Sequence, residues 1–359
     1  MKKDLAVAAL LAATACWFSY GCPGSRPAPG PGPGANRLKA EVPARDYAGT
    51  APELTDPQAG AAAKALYARL RGQYGRKIFS GQTSKYFAEL TSLAGNTPAL
   101  RAFDLQNYSP RNPWRADWSP WDDGTVQAAI DWHRGTGGKG IVTVQWHWLS
   151  PSGGLPRTNT FYTKETTFDV SKAVVPGTRE YGELLRDIDA IAAQLKRLRD
   201  AGVPVLWRPL HEAGGRWFWW GAKGPGPCLK LYDLVYRRLT GYHQLHNLIW
   251  VWATPEPEWY PGNDKVDIVG YDSYPGARDY SPQKETFDKL YKLVNGRKLI
   301  ALTENGPIPD IGQALAADAR WSYFMSWAEL VTEQNSPEHI REVFGRPDVI
   351  TIESDVVPR

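Results

Sequence analysis

Disulfides are the first thing this chain of 359 residues cannot rely on, because it has only 3 cysteines. Cys16 and Cys22 fall in an apolar leader, which leaves Cys228 alone in the body of the protein, where a structural role suits it. Histidine is scarce too, with 6 scattered copies. The pair His211-Glu212 invites a zinc-protease reading, but position 215 is glycine where that motif needs its second histidine. No structural or catalytic metal and no cofactor is expected. The chain has no G-x-x-x-x-G-K-[ST], no G-x-G-x-x-G after its first strand-like run and no G-x-S-x-G. Nucleotide-dependent and serine-esterase chemistry thus lack their usual signatures. There is no block of lysines or arginines, and a net charge of +4 is mild, so no nucleic-acid partner is expected.

What the chain has in excess is tryptophan, 16 copies within an aromatic content of 12%. So much indole suggests a surface that stacks on something flat and partly apolar. The densest stretch is WRPLHEAGGRWFWWG, Trp207 to Gly221, which sets four tryptophans beside His211 and Glu212. The remaining composition, 42% hydrophobic and 22% charged, is that of a soluble globular protein with a large core.

The N-terminus reads as a targeting segment. Two lysines precede the apolar run LAVAALLAATACWF, which is too short for a comfortable membrane span. Ser19-Tyr20-Gly21-Cys22 resembles a lipoprotein cleavage site with Cys22 as the lipidated residue, and a plain signal peptide cut near Ala15 is the alternative. Residues 1–22 are therefore assigned to a leader. Residues 23–45 form a Pro/Gly-rich linker that would reach roughly 70 Å at about 3.1 Å per residue. Residues 46–359 are left as one folded domain, expected to carry the function. The expectation is an exported, monomeric protein at an outer membrane or cell surface, touching the membrane only through its lipid anchor, or otherwise secreted.

Eight apolar, strand-like runs follow. They begin near Lys77 and Ala99, span Gly140 to Trp148, Pro204 to Glu212, Leu248 to Thr254, Val266 to Tyr274, Lys298 to Gly306, and end with Trp321 to Ala328. Most lack polar alternation, as strands buried on both faces do. Helical patterns separate them. In YGELLRDIDAIAAQLKRLRDAG the set Leu185, Ile188, Ile191, Ala192, Leu195 and Leu198 keeps helical spacing, with Gly202 as the stop. LKLYDLVYRRLTGYHQLH repeats the pattern after the fourth run. Eight strands alternating with helices predict an α/β fold, a single (β/α)8 TIM barrel; a doubly wound open sheet is the alternative.

Such a barrel carries its chemistry at the C-terminal ends of its strands. Here those ends hold Gln82, Asp104, His147, His211-Glu212, Asp272 with Tyr274, Glu304 and Trp327. Glu212 ends the fourth run and Glu304 the seventh, so both face one cleft. Two carboxylates among tryptophans suit cleavage of a glycosidic bond. The competing structural reading pairs each glutamate with a buried arginine such as Arg208. Of Trp148, Trp217, Trp219, Trp220, Trp259 and Trp327, about half are expected to pack the rim and the others to stack on sugar.

These residues resemble glycoside hydrolase family 26, chiefly bacterial β-mannanases of clan A. Trp207-Arg-Pro-Leu-His-Glu through Gly221 is similar to the family's acid/base motif. Ser80-Gly81-Gln82, Val144-Gln145-Trp146-His147-Trp148, Asn247 to Trp252, Trp259 to Gly262, Val269 to Tyr274 and Thr303-Glu-Asn-Gly306 follow in the family's order. The resemblance implies an endo-acting β-1,4-mannanase that cleaves mannan, glucomannan or galactomannan with retention. Glu212 would be the general acid/base and Glu304 the nucleophile. His211 would bind sugar at the cleavage point, Tyr274 would hydrogen-bond Glu304, and His147, Trp148, Arg208, Trp217 and Trp327 would bind substrate in the adjacent subsites. Arg216 and Asn305 depart from the family's pattern. Relatives that cut mixed-linkage β-glucan or β-1,3-xylan keep the substrate open, and a non-catalytic carbohydrate-binding barrel is the rival from another class.

Overall fold

A computed structural model describes residues 45–114 and 122–354. The leader, Cys22 and the linker up to residue 44 lie outside the described residues. Arg45, which sequence assigned to the linker, is tied to the folded domain. Its guanidinium donates to the carbonyl of Asp318 at 2.5 Å and pairs with Asp288.

Eight parallel strands close into a barrel in chain order. They are β1 (Gly81–Thr83), β2 (Leu100–Asp104), β3 (Ile141–Gln145), β4 (Val205–Arg208), β5 (Leu248–Trp252), β6 (Ile268–Ser273), β7 (Leu299–Asn305) and β8 (Phe324–Ser326). Every residue of β3, β5 and β7 is buried, which explains their unbroken apolar character: helices cover one face and the barrel interior the other. No helix among the described residues is long and apolar enough to cross a membrane.

The first apolar run is not a barrel strand. Ile78–Phe79 pairs in parallel with Val349–Ile350, a strand that sequence reading missed. The barrel begins two residues later, at Gly81, where a side chain would stand 2.6 Å from the Phe324 carbonyl. Glycine there lets β1 approach β8 and close the ring.

The helix expected after β3 runs from Arg179 to Asp200. Thr178 caps it by accepting from the Tyr181 amide at 3.1 Å, and Gly202, at φ 77°, stops it. Its buried face carries Leu184 and Asp187 with Ile188, Ile191, Leu195 and Leu198. Leu185, expected on that face, is only half-buried. The helix after β4, Pro225–Tyr236, buries Cys228 and loosens into a π turn over Arg237–Tyr242.

Candidate active site

The C-terminal end of β4 delivers three functional side chains because its backbone departs from strand geometry. Arg208 is the last strand residue, and Leu210 and Glu212 then adopt left-handed conformations at φ 52° and 53°. Such geometry is costly for non-glycine residues and needs support from its surroundings. The Glu212 amide donates to the Ala253 carbonyl at 3.2 Å, and the Ala213 amide to Thr254 Oγ1 at 3.0 Å. Trp220 Nε1 donates to the His211 carbonyl at 2.9 Å. The turn is thereby fastened to the end of β5, with the Glu212 carboxylate in the cleft.

Glu304 arrives by another device. The register between β6 and β7 slips after Tyr271, so that Asp272 lies opposite Glu304 and Thr303 is passed over. A bulge of this kind re-aims a side chain. Thr303 Oγ1 turns to donate to Asp272 Oδ1 at 2.7 Å. Carboxylate oxygens of Glu212, Asp272 and Glu304 then lie within 4.8 Å of one another.

Arg208 makes that crowd of charge tolerable. Its guanidinium donates to Asp272 at 2.6 Å, to Glu304 and to Gln145 Oε1. Burial opposes its charge, but Asp272, Glu304 and Glu212 outweigh burial and hold the guanidinium protonated. Sequence reading placed Arg208 against substrate. Its side chain is instead 3% exposed and spent on the carboxylates, so it acts on Glu304 rather than on sugar. The three carboxylates could hold a cation by spacing alone, yet two of them are already bonded to this guanidinium.

Their surroundings raise two of the acids. Burial, then the charges of Asp272 and Glu304, raise Glu212 to about 8. Asp272 is raised to about 7 by burial and Glu304, against the pull of Arg208. Tyr274, 40% exposed as a residue, donates its hydroxyl inward to Glu304 Oε1, where loss of water around the hydroxyl, followed by the Glu304 charge, keeps the phenol protonated.

A second polar layer rises from β2 and β3. Asp104 accepts from His147 Nδ1, and from the His147 amide at 3.1 Å. Burial opposes ionisation of Asp104, but the charge and hydrogen bonds of His147 outweigh it and hold the carboxyl below its usual range. His147 Nε2 meets His211 Nε2 at 3.2 Å. Burial, then Arg208 and His147, hold His211 far below the usual imidazole value, so it is neutral. His211 was expected to touch sugar directly. It is buried, and it reaches the cleft through His147.

Tryptophan divides sharply. Trp217 is 48% exposed and donates Nε1–H to Glu212 Oε2 at 2.9 Å. Trp327 is half-buried, 5.9 Å from the His147 ring. Trp148, expected to meet substrate, is 0% exposed. It stacks on Trp146 at 4.0 Å and donates Nε1–H to the buried carboxylate of Asp187 at 2.9 Å. Trp219, Trp220 and Trp259 are buried as well, so packing claims more than the expected half. Position at a strand end gave no direction for the indole, and the burial of Asp187 behind it was not foreseen.

Two spaces open at opposite sides of the barrel mouth. A cavity of about 510 Å³ runs past Trp327, Asp104 and Gln145 toward β1 and β2, where Arg101 and Lys85 line it. A smaller one of about 110 Å³ lies beside Glu212, between Trp217, Glu256 and Tyr271. Asp272, Gln145 and Asp104 are members of the site to which sequence reading assigned no task; a polar residue ending a buried strand was the signal for each. The two departures also find places. Asn305 joins β7 to β8, accepting from the Met325 amide at 3.0 Å, and the exposed Arg216 lies 5.8 Å over the Trp259 ring.

Comparison with known proteins places this geometry. A mannan endo-1,4-β-mannosidase of Thermothelomyces thermophilus is 46% identical over 313 residues, covering 84% of this chain and 62% of that protein. Mannan endo-1,4-β-mannosidase A of Piromyces sp. is 35% identical, over 84% of this chain and 50% of its own. The chain thus spans between half and two thirds of these relatives. The crystal structure of the Podospora anserina GH26-CBM35 β-(1,4)-mannanase matches with TM-score 0.79 and 43% identity, over 85% of this chain and 69% of that one. A β-mannanase from a symbiotic protist of the termite Reticulitermes speratus, complexed with gluco-manno-oligosaccharide, matches with TM-score 0.77 and 34% identity, over 86% and 99%. The model of Glycosyl hydrolase family 26 matches residues 55–354, and the chain belongs to that family.

Proposed function

We propose that this protein is a retaining glycoside hydrolase, an endo-β-1,4-mannanase, with Glu212 as general acid/base and Glu304 as nucleophile. The observation that carries the reading is one pair of carboxylates in unlike environments. One oxygen of each lies within 4.8 Å of the other, a close approach compatible with a retaining pair, whose carboxyl groups stand about 5–5.5 Å apart. Glu212, held protonated at neutral pH, gives its proton to the departing glycosidic oxygen. Glu304, held by hydrogen bonds from Arg208 and Tyr274, forms a bond to the anomeric carbon as the bond to the leaving group breaks. Glu212, now a base, takes a proton from water, and the water oxygen displaces Glu304. Trp217 and Trp327 offer indole faces to sugar rings on the two sides, and His147, held by Asp104 and His211, offers a ring edge between them. The mannan substrate is supported by the names that the relatives carry. For location, we retain export with a lipid on Cys22; Cys22→Ser should leave activity intact and release the protein from the membrane fraction.

The test is incubation with mannohexaose, cellohexaose and lichenan, beside Glu304→Ala. Cleavage of mannohexaose that vanishes in the variant supports the reading. Cleavage of lichenan alone keeps the chemistry and moves the substrate to β-glucan. A folded wild type that leaves all three intact refutes it.

A further inference from the structure

Glycine at position 215 has no backbone reason to be there. It sits in the short 3-10 turn Ala213–Gly215, and its φ is not in the left-handed range that glycine alone tolerates well. Its reason is a ring. A Cβ on Gly215 would stand 2.0 Å from Cζ3, 2.1 Å from Cη2 and 2.3 Å from Cε3 of Trp217. The indole therefore lies directly against the Gly215 backbone, where no other residue leaves room. In that seat Trp217 Nε1 reaches Glu212 Oε2 at 2.9 Å. Gly214 is different: a Cβ there would meet Glu256 Oε2 at 2.6 Å, the far end of a flexible side chain that can move away.

We propose that Gly215 is a positioning residue that seats Trp217 so that its N–H selects which oxygen of Glu212 carries the catalytic proton. An indole N–H can only donate. The carbonyl oxygen of a neutral acid is its better acceptor, so the bond favours Oε2 as the carbonyl and the proton on Oε1. Among the described residues Oε1 has no hydrogen-bond partner, so it is free to face the glycosidic oxygen. When Oε1 gives up its proton, the charge spreads over both oxygens and the Trp217 bond becomes charge-assisted and stronger. The bond is thus worth more as the proton leaves than before, which is the condition for lowering the barrier. The exposed face of the same indole is open to a sugar ring, so one residue both stacks on substrate and orients the acid, and Gly215 sets its height for both tasks.

The inference rests on Glu212 being the general acid. The experiment compares pH profiles of kcat/KM for mannohexaose in wild type, Trp217→Phe, Gly215→Ala, the double variant and Gly214→Ala, with Glu212→Gln to check the underlying reading. The Trp217 bond favours ionised Glu212, so its loss raises the acid's pKa and moves the alkaline limb upward by about one pH unit. Trp217→Phe, which keeps a ring, should lower kcat by about tenfold with a smaller change in KM. Gly215→Ala should show the same upward limb shift together with a raised KM, because the ring leaves its seat. Gly214→Ala crowds Glu256 and Thr254 rather than the ring, so its alkaline limb should not move upward. The double variant should shift no further than Trp217→Phe alone, since both substitutions remove one interaction. An unmoved limb in Trp217→Phe or Gly215→Ala, with circular dichroism and melting temperature like the wild type, overturns the proposal, and so does an additive double variant. If Glu212→Gln keeps wild-type activity and its alkaline limb, the acid/base reading itself fails, an outcome separate from the others.

Discussion

Replacing Asp272 with asparagine removes a full negative charge from beside Glu212 and nearly preserves shape. Thr303 Oγ1 can still donate to the remaining Oδ1, as it does at 2.7 Å in the native protein. Burial raises both Asp272 and Glu212, and the Arg208 guanidinium, bonded to Asp272, favours the anion there, so Asp272 carries the charge while Glu212 loses its proton. A unit charge within 4.8 Å of the Glu212 carboxylate contributes about 3.5 kcal/mol at an effective dielectric of about 20, or about 2.5 pH units. Arg208, bonded to Asp272 at 2.6 Å, offsets part of this, leaving about one to two units. The sign is unambiguous. Without the neighbouring anion Glu212 ionises more easily, and Arg208, freed of one partner, favours ionisation further. The alkaline limb of kcat/KM, where the general acid loses its proton, should therefore fall from about 8 to between about 6 and 7. Steady-state kinetics on a soluble manno-oligosaccharide across the pH range reads this directly, on protein whose near-ultraviolet circular dichroism matches the wild type. A limb that stays in place or rises would refute the electrostatic account of Glu212, whatever happens to the rate. The same variant should be less stable by up to about 3–5 kcal/mol, because a buried guanidinium has lost half of its compensation.

Other consequences follow from the same geometry. Tyr274→Phe removes the hydroxyl that Glu304 accepts; kcat should drop about 10- to 150-fold, the equivalent of about 1.5–3 kcal/mol for a hydrogen bond to a charged group, with KM nearly unchanged. Trp148→Phe should destabilise by about 1–3 kcal/mol in thermal melts while leaving KM for mannohexaose within about twofold, because the indole packs and does not touch the cleft. That cost should be larger at neutral pH than in mild acid. Asp187 has a folded pKa raised to about 6 by burial, so it resists ionisation, and the stability this group contributes in acid is already being lost as pH rises toward 6. Removing the Trp148 donor from the ionised form deepens that loss, and equal destabilisation at both pH values would contradict it. Cys228 is fully buried and burial raises its thiol pKa; in native protein it should resist thiol reagents, with labelling, followed by peptide mapping, appearing only on unfolding.

Element type was legible wherever it depended on local pattern. Continuous β-branched and aromatic runs marked seven of the barrel strands, because strands covered on both faces carry no polar alternation. Gly202 marked the end of the Arg179–Asp200 helix by backbone chemistry local to it, while the Thr178 cap at its start went unread. Glu212 and Glu304 stood out because a carboxylate that ends a buried strand needs a partner or a task. Direction and partnership were not legible. Leu184 rather than Leu185 faces inward, a difference of one step around the helix that only the packing surface decides. Trp148 turns from the cleft to a carboxylate on a helix 39 residues away, and Arg208 turns to one that is 96 residues away. The bulge at Thr303 and the pairing of Ile78–Phe79 with Val349–Ile350 likewise exist only once distant segments meet. The chain by itself determined the alternation of strands and helices and the chemical kind of each strand end, since both follow from short-range periodicity and from the cost of burying charge. Tertiary structure alone decided which of those polar ends stand as the proposed acid and nucleophile and which as counter-ion or core, because a buried charge takes its state from its nearest neighbours in space, and those neighbours are far apart along the chain.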